Sequence, residues 1–235
     1  MRRQLLAALL LLLLLPTFIV CGAQAEPEVP VDLPDVDITS WEFRLANSYN
    51  SIGWYMPEYG QIEGQGLDPR VVDSAKALLK AARDEGYTVY MAVASRNTQW
   101  LRNHYYNQVH YHGDDALATV KDFLPPGANE HQTGLAIDFT DQMKNRSNYY
   151  RFTDPEIFDS ELYTWLLENC ADYGFVPRYP EGKEYFYGVA CPHAHFRYVG
   201  VEAAKYMTEH DLCLEEFISL YDPDAVFIPE NGRLN

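Results

Sequence analysis

Residues 129–138, NEHQTGLAID, contain a histidine, a glycine and an aspartate at the start of an apolar run. Residues 135–139 predict a strand whose alternate positions separate an apolar core face from a face with one small residue and the Asp138 carboxylate. Gly134 allows a sharp turn before this strand, because glycine adopts positive φ without steric cost. We therefore expect His131 to return over the space beside Asp138, which suits a metal-binding pair. This pair alone also fits a hydrogen-bonded structural histidine beside a solvated acid.

A second polar segment follows at residues 191–200, CPHAHFRYVG. In a strand His193, His195 and Arg197 alternate onto one face, and two aromatic residues take the other. A neutral His195 imidazole would complete a His-Asp-His set, which is three protein ligands with one coordination position left for water, as in catalytic zinc sites. The alternative is a polar strand edge at the surface, and the strongly apolar opposite face argues against it.

A third candidate is Arg96, which comes directly after the β-type run of residues 87–94. Side chains at strand ends often project into a site, and a fixed guanidinium suits a carboxylate or a developing oxyanion. The alternative is an exposed arginine at the start of a helix.

The order of these motifs resembles that of the zinc D,D-carboxypeptidases of the vancomycin-resistance type, within the larger lysostaphin/D-Ala-D-Ala-peptidase/hedgehog group. The resemblance extends from about residue 43 to residue 221, nearly the whole exported part of the chain. The matching stretches are VASR (93–96), NEHQTGLAID (129–138), YGF (173–175), RYPEGK (178–183), HFRYVG (195–200) and LCLEEF (212–217).

This resemblance implies a zinc site and a reaction. His131, Asp138 and His195 take the positions of the zinc ligands. Arg96 takes that of the arginine that steadies the scissile region or the terminal carboxylate of the substrate. The reaction implied is hydrolysis of a peptide bond in the peptidoglycan stem peptide, with release of terminal D-Ala. We expect Asn129, which stands where the family usually has serine, and Arg197 to contribute to substrate binding.

One departure from the family concerns the general base. The family has a Glu three residues before the last histidine ligand, and here that position is Pro192, while Ala194 replaces the usual Trp. Proline cannot accept a proton, so general-base assistance of about 10²–10⁴-fold must come from elsewhere. His193 is the nearest substitute, and it acts either as this base or only as a neighbour of the site. Two alternatives stay open: a non-catalytic zinc protein that binds wall peptides, and an endopeptidase with shifted specificity.

The N-terminal segment has the three parts of a secretory signal peptide. A basic start is followed by an apolar run over residues 5–15, and Ala23 and Ala25 provide a small-residue cleavage site. We predict a signal peptide over residues 1–25, an extended leader over 26–40 and one domain over 41–235. Lipidation at Cys21 is the alternative, although Val20 precedes it where lipoprotein signals usually have a small residue.

The remaining pattern predicts an α+β domain with a central, mainly antiparallel sheet flanked by helices, as in hedgehog and DD-peptidase domains. Asp68 and Pro69 predict the start of a helix that Gly86 ends. The other predicted elements are helices over residues 98–109, 160–173, 201–209 and 214–221 and strands over 87–94, 135–139 and 195–199.

Charge and cysteine content limit the partners. The 235 residues carry a formal net charge of −16, and removal of Arg2 and Arg3 with the signal segment makes it −18. Such a surface argues against nucleic acid and anionic lipid. We expect no membrane span after signal cleavage, a monomer, and recognition of the wall peptide by a local pocket. Three cysteines, Cys170, Cys191 and Cys213, then remain, so at most one intramolecular disulfide can form.

Overall fold

The computed structural model describes residues 32–116, 119, 120, 123–141, 155–188 and 194–229. Within these residues the strands are β1 (Gly60–Ile62), β2 (Gln65–Leu67), β3 (Tyr90–Val93), β4 (Ala136–Thr140), β5 (Phe175–Pro177) and β6 (His195–Tyr198). The α-helices whose bounds fall in this described part of the chain are α1 (Val72–Asp84), α2 (Thr98–Tyr111), α3 (Glu161–Asn169), α4 (Glu184–Tyr187), α5 (Val201–Glu209) and α6 (Leu214–Tyr221).

The centre of the fold is a four-stranded sheet with the order β3-β4-β6-β5, in which every neighbouring pair is antiparallel. A separate two-stranded ribbon is formed by β1 and β2. Helices and antiparallel strands mix as the sequence predicted, so the α+β class is confirmed. The register between β4 and β6 pairs Asp138 with His195.

Two clusters of buried side chains form the core. The first includes apolar residues of α1, α3 and the sheet, among them Leu78, Leu166 and Ile137. The second is built on α5 and α6. Leu33, Val36 and Ile38, in the segment expected to be an extended leader, pack against this second cluster. Part of the expected leader is therefore anchored on the domain by these three side chains, whereas residues 1–25 lie outside the described residues.

The first long helix begins later than predicted. Asp68 does not cap α1; its carboxylate accepts from the Arg70 backbone N–H at 3.0 Å and from the Arg70 guanidinium at 2.8 and 2.6 Å. The Asp68 backbone N–H donates to the Gly134 carbonyl at 2.9 Å. These bonds fix a turn before the helix, which starts at Val72.

The other predicted elements differ from the structure at their ends only. The helix expected over residues 160–173 is α up to Asn169 and continues as a 3₁₀-helix over Cys170–Tyr173. Helices α5 and α6 have the predicted bounds. Among the described residues, none of the helices has the length and apolar character needed to cross a membrane.

Candidate metal centre

His131 lies on a short 3₁₀-helix, Glu130–Thr133, that directly precedes β4. The Asn129 side chain caps this helix and accepts from the His131 backbone N–H at 3.1 Å. Gly134 ends it with φ +75°, and a Cβ built there would lie 3.1 Å from the Asp68 backbone nitrogen. The turn therefore requires glycine, and it directs the His131 side chain back towards β4.

Asp138 and His195 meet because antiparallel pairing places them opposite each other. Their side chains lie on the same face, with Asp138 Oδ1 2.6 Å from His195 Nδ1. The other carboxylate oxygen, Oδ2, lies 3.1 Å from His131 Nε2. All three residues are at most 5% exposed, and one ligand atom from each lies within 4.8 Å of the others. The structure thus brings the three predicted ligands together.

The hydrogen bonds around His131 fit a cation. The Nδ1 atom of His131 contacts the Ala94 carbonyl, which can only accept, so this nitrogen carries the proton. Burial lowers the pKa of His131 to about 4, so the imidazole is neutral at pH 7 and Nε2 has a lone pair. That lone pair faces the Asp138 carboxylate oxygen Oδ2, which is also an acceptor. A positive ion bound by both atoms would stabilise this contact between two acceptors.

His195 supports the same interpretation. Its Nε2 atom is buried and has no hydrogen-bond partner within the described parts of the chain. A histidine with a purely structural role normally has hydrogen-bond partners for its buried ring nitrogens. His195 has one, Asp138, at Nδ1. Two imidazoles and one carboxylate form a donor set that zinc accepts.

A backbone hydrogen bond holds Arg96 beside this centre. The Arg96 backbone N–H donates to the His131 carbonyl at 2.9 Å. It follows the end of β3 and precedes α2. Its guanidinium carbon lies 5.3 Å from the centroid of the Trp100 ring and 5.7 Å from that of Phe123. These aromatic faces restrict where the guanidinium can lie.

The structure corrects the expectation for Arg197. Its side chain is fully buried and donates from Nη1 to Glu130 at 2.5 Å. Its Nη2 donates to the carbonyls of Glu42 and Arg44, both at 2.7 Å. Because acceptors inside the fold occupy these donors, Arg197 is an internal ion-pair partner, and we withdraw its expected role in substrate binding.

Sequence reasoning assigned no role to Glu130, Arg178 or Glu215, which extend this ion-pair network. Arg178 donates to Glu130 from Nε at 2.9 Å and forms a bidentate pair with Glu215 at 2.9 and 2.6 Å. Burial would raise the pKa of Glu130, but the charges of Arg197 and Arg178 outweigh it and lower the pKa to about 2. The sequence did contain a hint of their importance, because all three residues fall within the stretches that match the family.

Two further predicted positions have different outcomes. Asn129 has a local role as the cap of His131, which differs from the expected contact with substrate. His193, together with Pro192 and Cys191, lies outside the described residues.

Tyr179, to which the sequence assigned no role, packs its ring against His195 with centroids 5.1 Å apart.

Comparison with known proteins identifies the chain. Its residues 64–201 match the family model described as VanY, D-alanyl-D-alanine carboxypeptidase. A D-alanyl-D-alanine carboxypeptidase of Enterococcus faecalis is 32% identical over 193 residues, 78% of this chain and 68% of the relative. The fold and these matches define a peptidase of the carboxypeptidase class. The chain belongs to the VanY family of D-alanyl-D-alanine carboxypeptidases.

Two solved structures share this fold. A mutant of the vancomycin resistance D,D-pentapeptidase VanY in complex with Zn(II) has a TM-score of 0.63 and 30% identity, covering 76% of this chain and 99% of its own. VanYB in complex with D-alanine-D-alanine has a TM-score of 0.62 and 30% identity, covering 77% of this chain and 98% of its own. The predicted resemblance to the D,D-carboxypeptidases is confirmed.

Proposed function

We propose that this protein is an exported, zinc-dependent D,D-carboxypeptidase that hydrolyses the terminal D-Ala-D-Ala bond of peptidoglycan stem peptides. The observation that carries the proposal is the buried set His131, Asp138 and His195, in which one carboxylate lies between two imidazole nitrogens. Family membership supports the reaction, and the Zn(II) and D-alanine-D-alanine complexes of related proteins support the metal and the substrate.

Each of the three residues has a defined part. Asp138 offers one oxygen towards each histidine, and the Ala94 carbonyl holds His131 in the tautomer whose Nε2 lone pair points to Asp138. Zinc bound by this set would polarise the scissile carbonyl and lower the pKa of a water molecule. Burial of all three side chains keeps the local dielectric low, which strengthens charge interactions at the reacting bond.

Arg96 binds the terminal carboxylate of the substrate in this proposal. Its backbone contact with His131 keeps it beside the metal centre, and the Trp100 and Phe123 rings limit where the guanidinium can lie. A planar guanidinium gives a carboxylate two parallel hydrogen bonds. A free terminal carboxylate would therefore distinguish carboxypeptidase substrates from internal peptide bonds.

His193 is the proposed general base, because Pro192 stands where the family has a Glu. Proline at this position also favours a second candidate function, a zinc protein that binds wall peptides without cleaving them. Turnover that falls about 10²–10⁴-fold in His193→Ala would support the relocated base. Negligible turnover in the wild type, with partial gain in Pro192→Glu, would support the binding protein.

The experiment that tests the function measures D-Ala release from a synthetic stem pentapeptide by purified, zinc-loaded protein. We expect release that needs zinc and is absent in Asp138→Asn. Mass spectrometry of digested muropeptides identifies the bond that is cut. Cleavage at an internal bond would indicate an endopeptidase, and zinc-loaded protein without release above the blank would contradict the proposal.

A further inference from the structure

Glu130 is a buried carboxylate that the proposed reaction does not use. It is 1% exposed and accepts from two arginines, Arg178 at 2.9 Å through Oε1 and Arg197 at 2.5 Å through Oε2. Both arginines are also buried. The two oxygens of Glu130 therefore bind arginines from two different strands. Arg197 lies in β6, and Arg178 directly follows β5.

These ion pairs connect the segments that carry both histidine ligands. Glu130 directly precedes His131 on the same 3₁₀-helix. Arg197 lies two residues after His195, and the Arg178 backbone N–H donates to the His195 carbonyl at 3.0 Å. One carboxylate thus joins the 3₁₀-helix of one ligand to the strand of the other. It does so in addition to Asp138, which contacts both histidines, and to the direct contact between the two histidine rings.

Glu215 offers an internal comparison within the same network. It lies on α6, pairs with both terminal nitrogens of Arg178, and accepts from Asn47 at 2.6 Å. Like Glu130 it is fully buried and paired with an arginine. It differs in its place, because α6 carries neither histidine. Substitution of Glu215 therefore removes a comparable buried charge from a helix that carries neither ligand.

We propose that Glu130 is a positioning residue of the metal centre. Its two ion pairs fix the spacing between His131 and His195, so the affinity for the metal depends on it. An amide cannot replace the carboxylate, because it has one oxygen and would present an NH₂ group to one of the arginines. This inference rests on the metal site of the proposed function, and it goes beyond it by adding a residue that does not touch the metal.

The test compares Glu130→Gln with Glu215→Gln by zinc affinity, measured in competition with a chromophoric chelator on protein that circular dichroism shows to be folded. Both variants should have lower unfolding midpoints, because each removes one charge of a buried pair. Only Glu130→Gln should bind zinc more weakly, by about 10–100-fold, the usual effect of residues that orient metal ligands. The visible spectrum of the Co(II)-substituted protein should change in Glu130→Gln alone.

Equal zinc affinities in the two variants would overturn the proposal and leave Glu130 with a structural role. If Glu130→Gln does not fold, Glu130→Asp and Glu215→Asp give the same comparison, because aspartate keeps the charge and shortens the reach by one methylene. Wild-type protein that binds no zinc would overturn this proposal together with the proposed metal site. Zinc binding without D-Ala release would contradict the proposed activity and leave the role of Glu130 standing.

Discussion

Asp138 and His195 are register partners of the central sheet, and their side chains meet with Oδ1 and Nδ1 2.6 Å apart. Backbone pairing of β4 with β6 therefore builds two thirds of the metal centre. His131 arrives separately, on a 3₁₀-helix that the left-handed turn at Gly134 returns to the sheet. The centre depends on a strand register and on one glycine turn.

The first prediction concerns Asp138. Asp138→Asn keeps the shape of the side chain but removes the charge and one of the two acceptor oxygens between the histidines. We expect zinc affinity to fall by more than about 100-fold, since even residues outside the ligand set commonly cost 10–100-fold. Asp172→Asn, at an exposed aspartate paired with Lys205, is the matched control and should bind zinc as the wild type does. Unchanged zinc affinity in Asp138→Asn would count against the site.

The second prediction concerns Arg96. Arg96→Lys keeps the positive charge and loses the planar, two-pronged donor. We expect kcat/KM for a pentapeptide with a free terminal carboxylate to fall about 10–100-fold, the worth of one or two charged hydrogen bonds. The difference should vanish for the same peptide with an amidated C-terminus. Arg102→Lys on α2 is the control, and an equal loss in it would show that Arg96 has no special role.

The third prediction concerns the turn before β4. Gly134 and Gly182 have similar φ values of +75° and +82°, but a Cβ at Gly182 meets nothing within 4 Å, whereas one at Gly134 approaches the Asp68 backbone at 3.1 Å. Gly182→Ala should therefore lower the free energy of unfolding by the left-handed strain alone, about 1–2 kcal/mol. Gly134→Ala should lower it further and weaken zinc binding. Urea denaturation measures the difference, and equal losses would disprove the close contact.

The fourth prediction concerns alkaline pH. Burial raises the pKa of the Cys170 thiol to about 12, above its ordinary value of 9.0. The folded state therefore keeps this proton when the unfolded state has lost it. The resulting contribution to stability is complete below pH 9 and is lost as the pH rises towards 12, by about 1.4 kcal/mol per pH unit in that window. Urea denaturation between pH 8 and 11 should show a shallower decline in Cys170→Ala than in the wild type, and identical slopes would refute the assignment.

Local patterns predicted much of this molecule, because their causes lie within a few residues. Alternation along residues 135–139 predicted the strand that holds Asp138, and the ranges predicted for α5 and α6 match their bounds. The three metal ligands were also predicted, because His131 and His195 each lie in a motif that matches the family and the motifs occur in the family's order.

The long-range ion pairs were beyond sequence reasoning. The same alternation that places Arg197 beside His195 gave no sign that its acceptor is Glu130, 67 residues earlier in the chain. The Asp68 carboxylate could have capped a helix by pattern alone, but its backbone bond to Gly134 and its pair with Arg70 fix a turn instead. Both outcomes depend on which distant groups become neighbours in the folded state.

The central claim is that one metal ion is held by His131, Asp138 and His195, and diffraction from zinc-loaded crystals at the zinc absorption edge tests it most directly. We predict a single anomalous peak between the three side chains, with zinc–nitrogen distances of about 2.0–2.1 Å and a zinc–oxygen distance of about 2.0–2.2 Å. A peak bound by other residues, or no peak in crystals grown with zinc, would contradict the account.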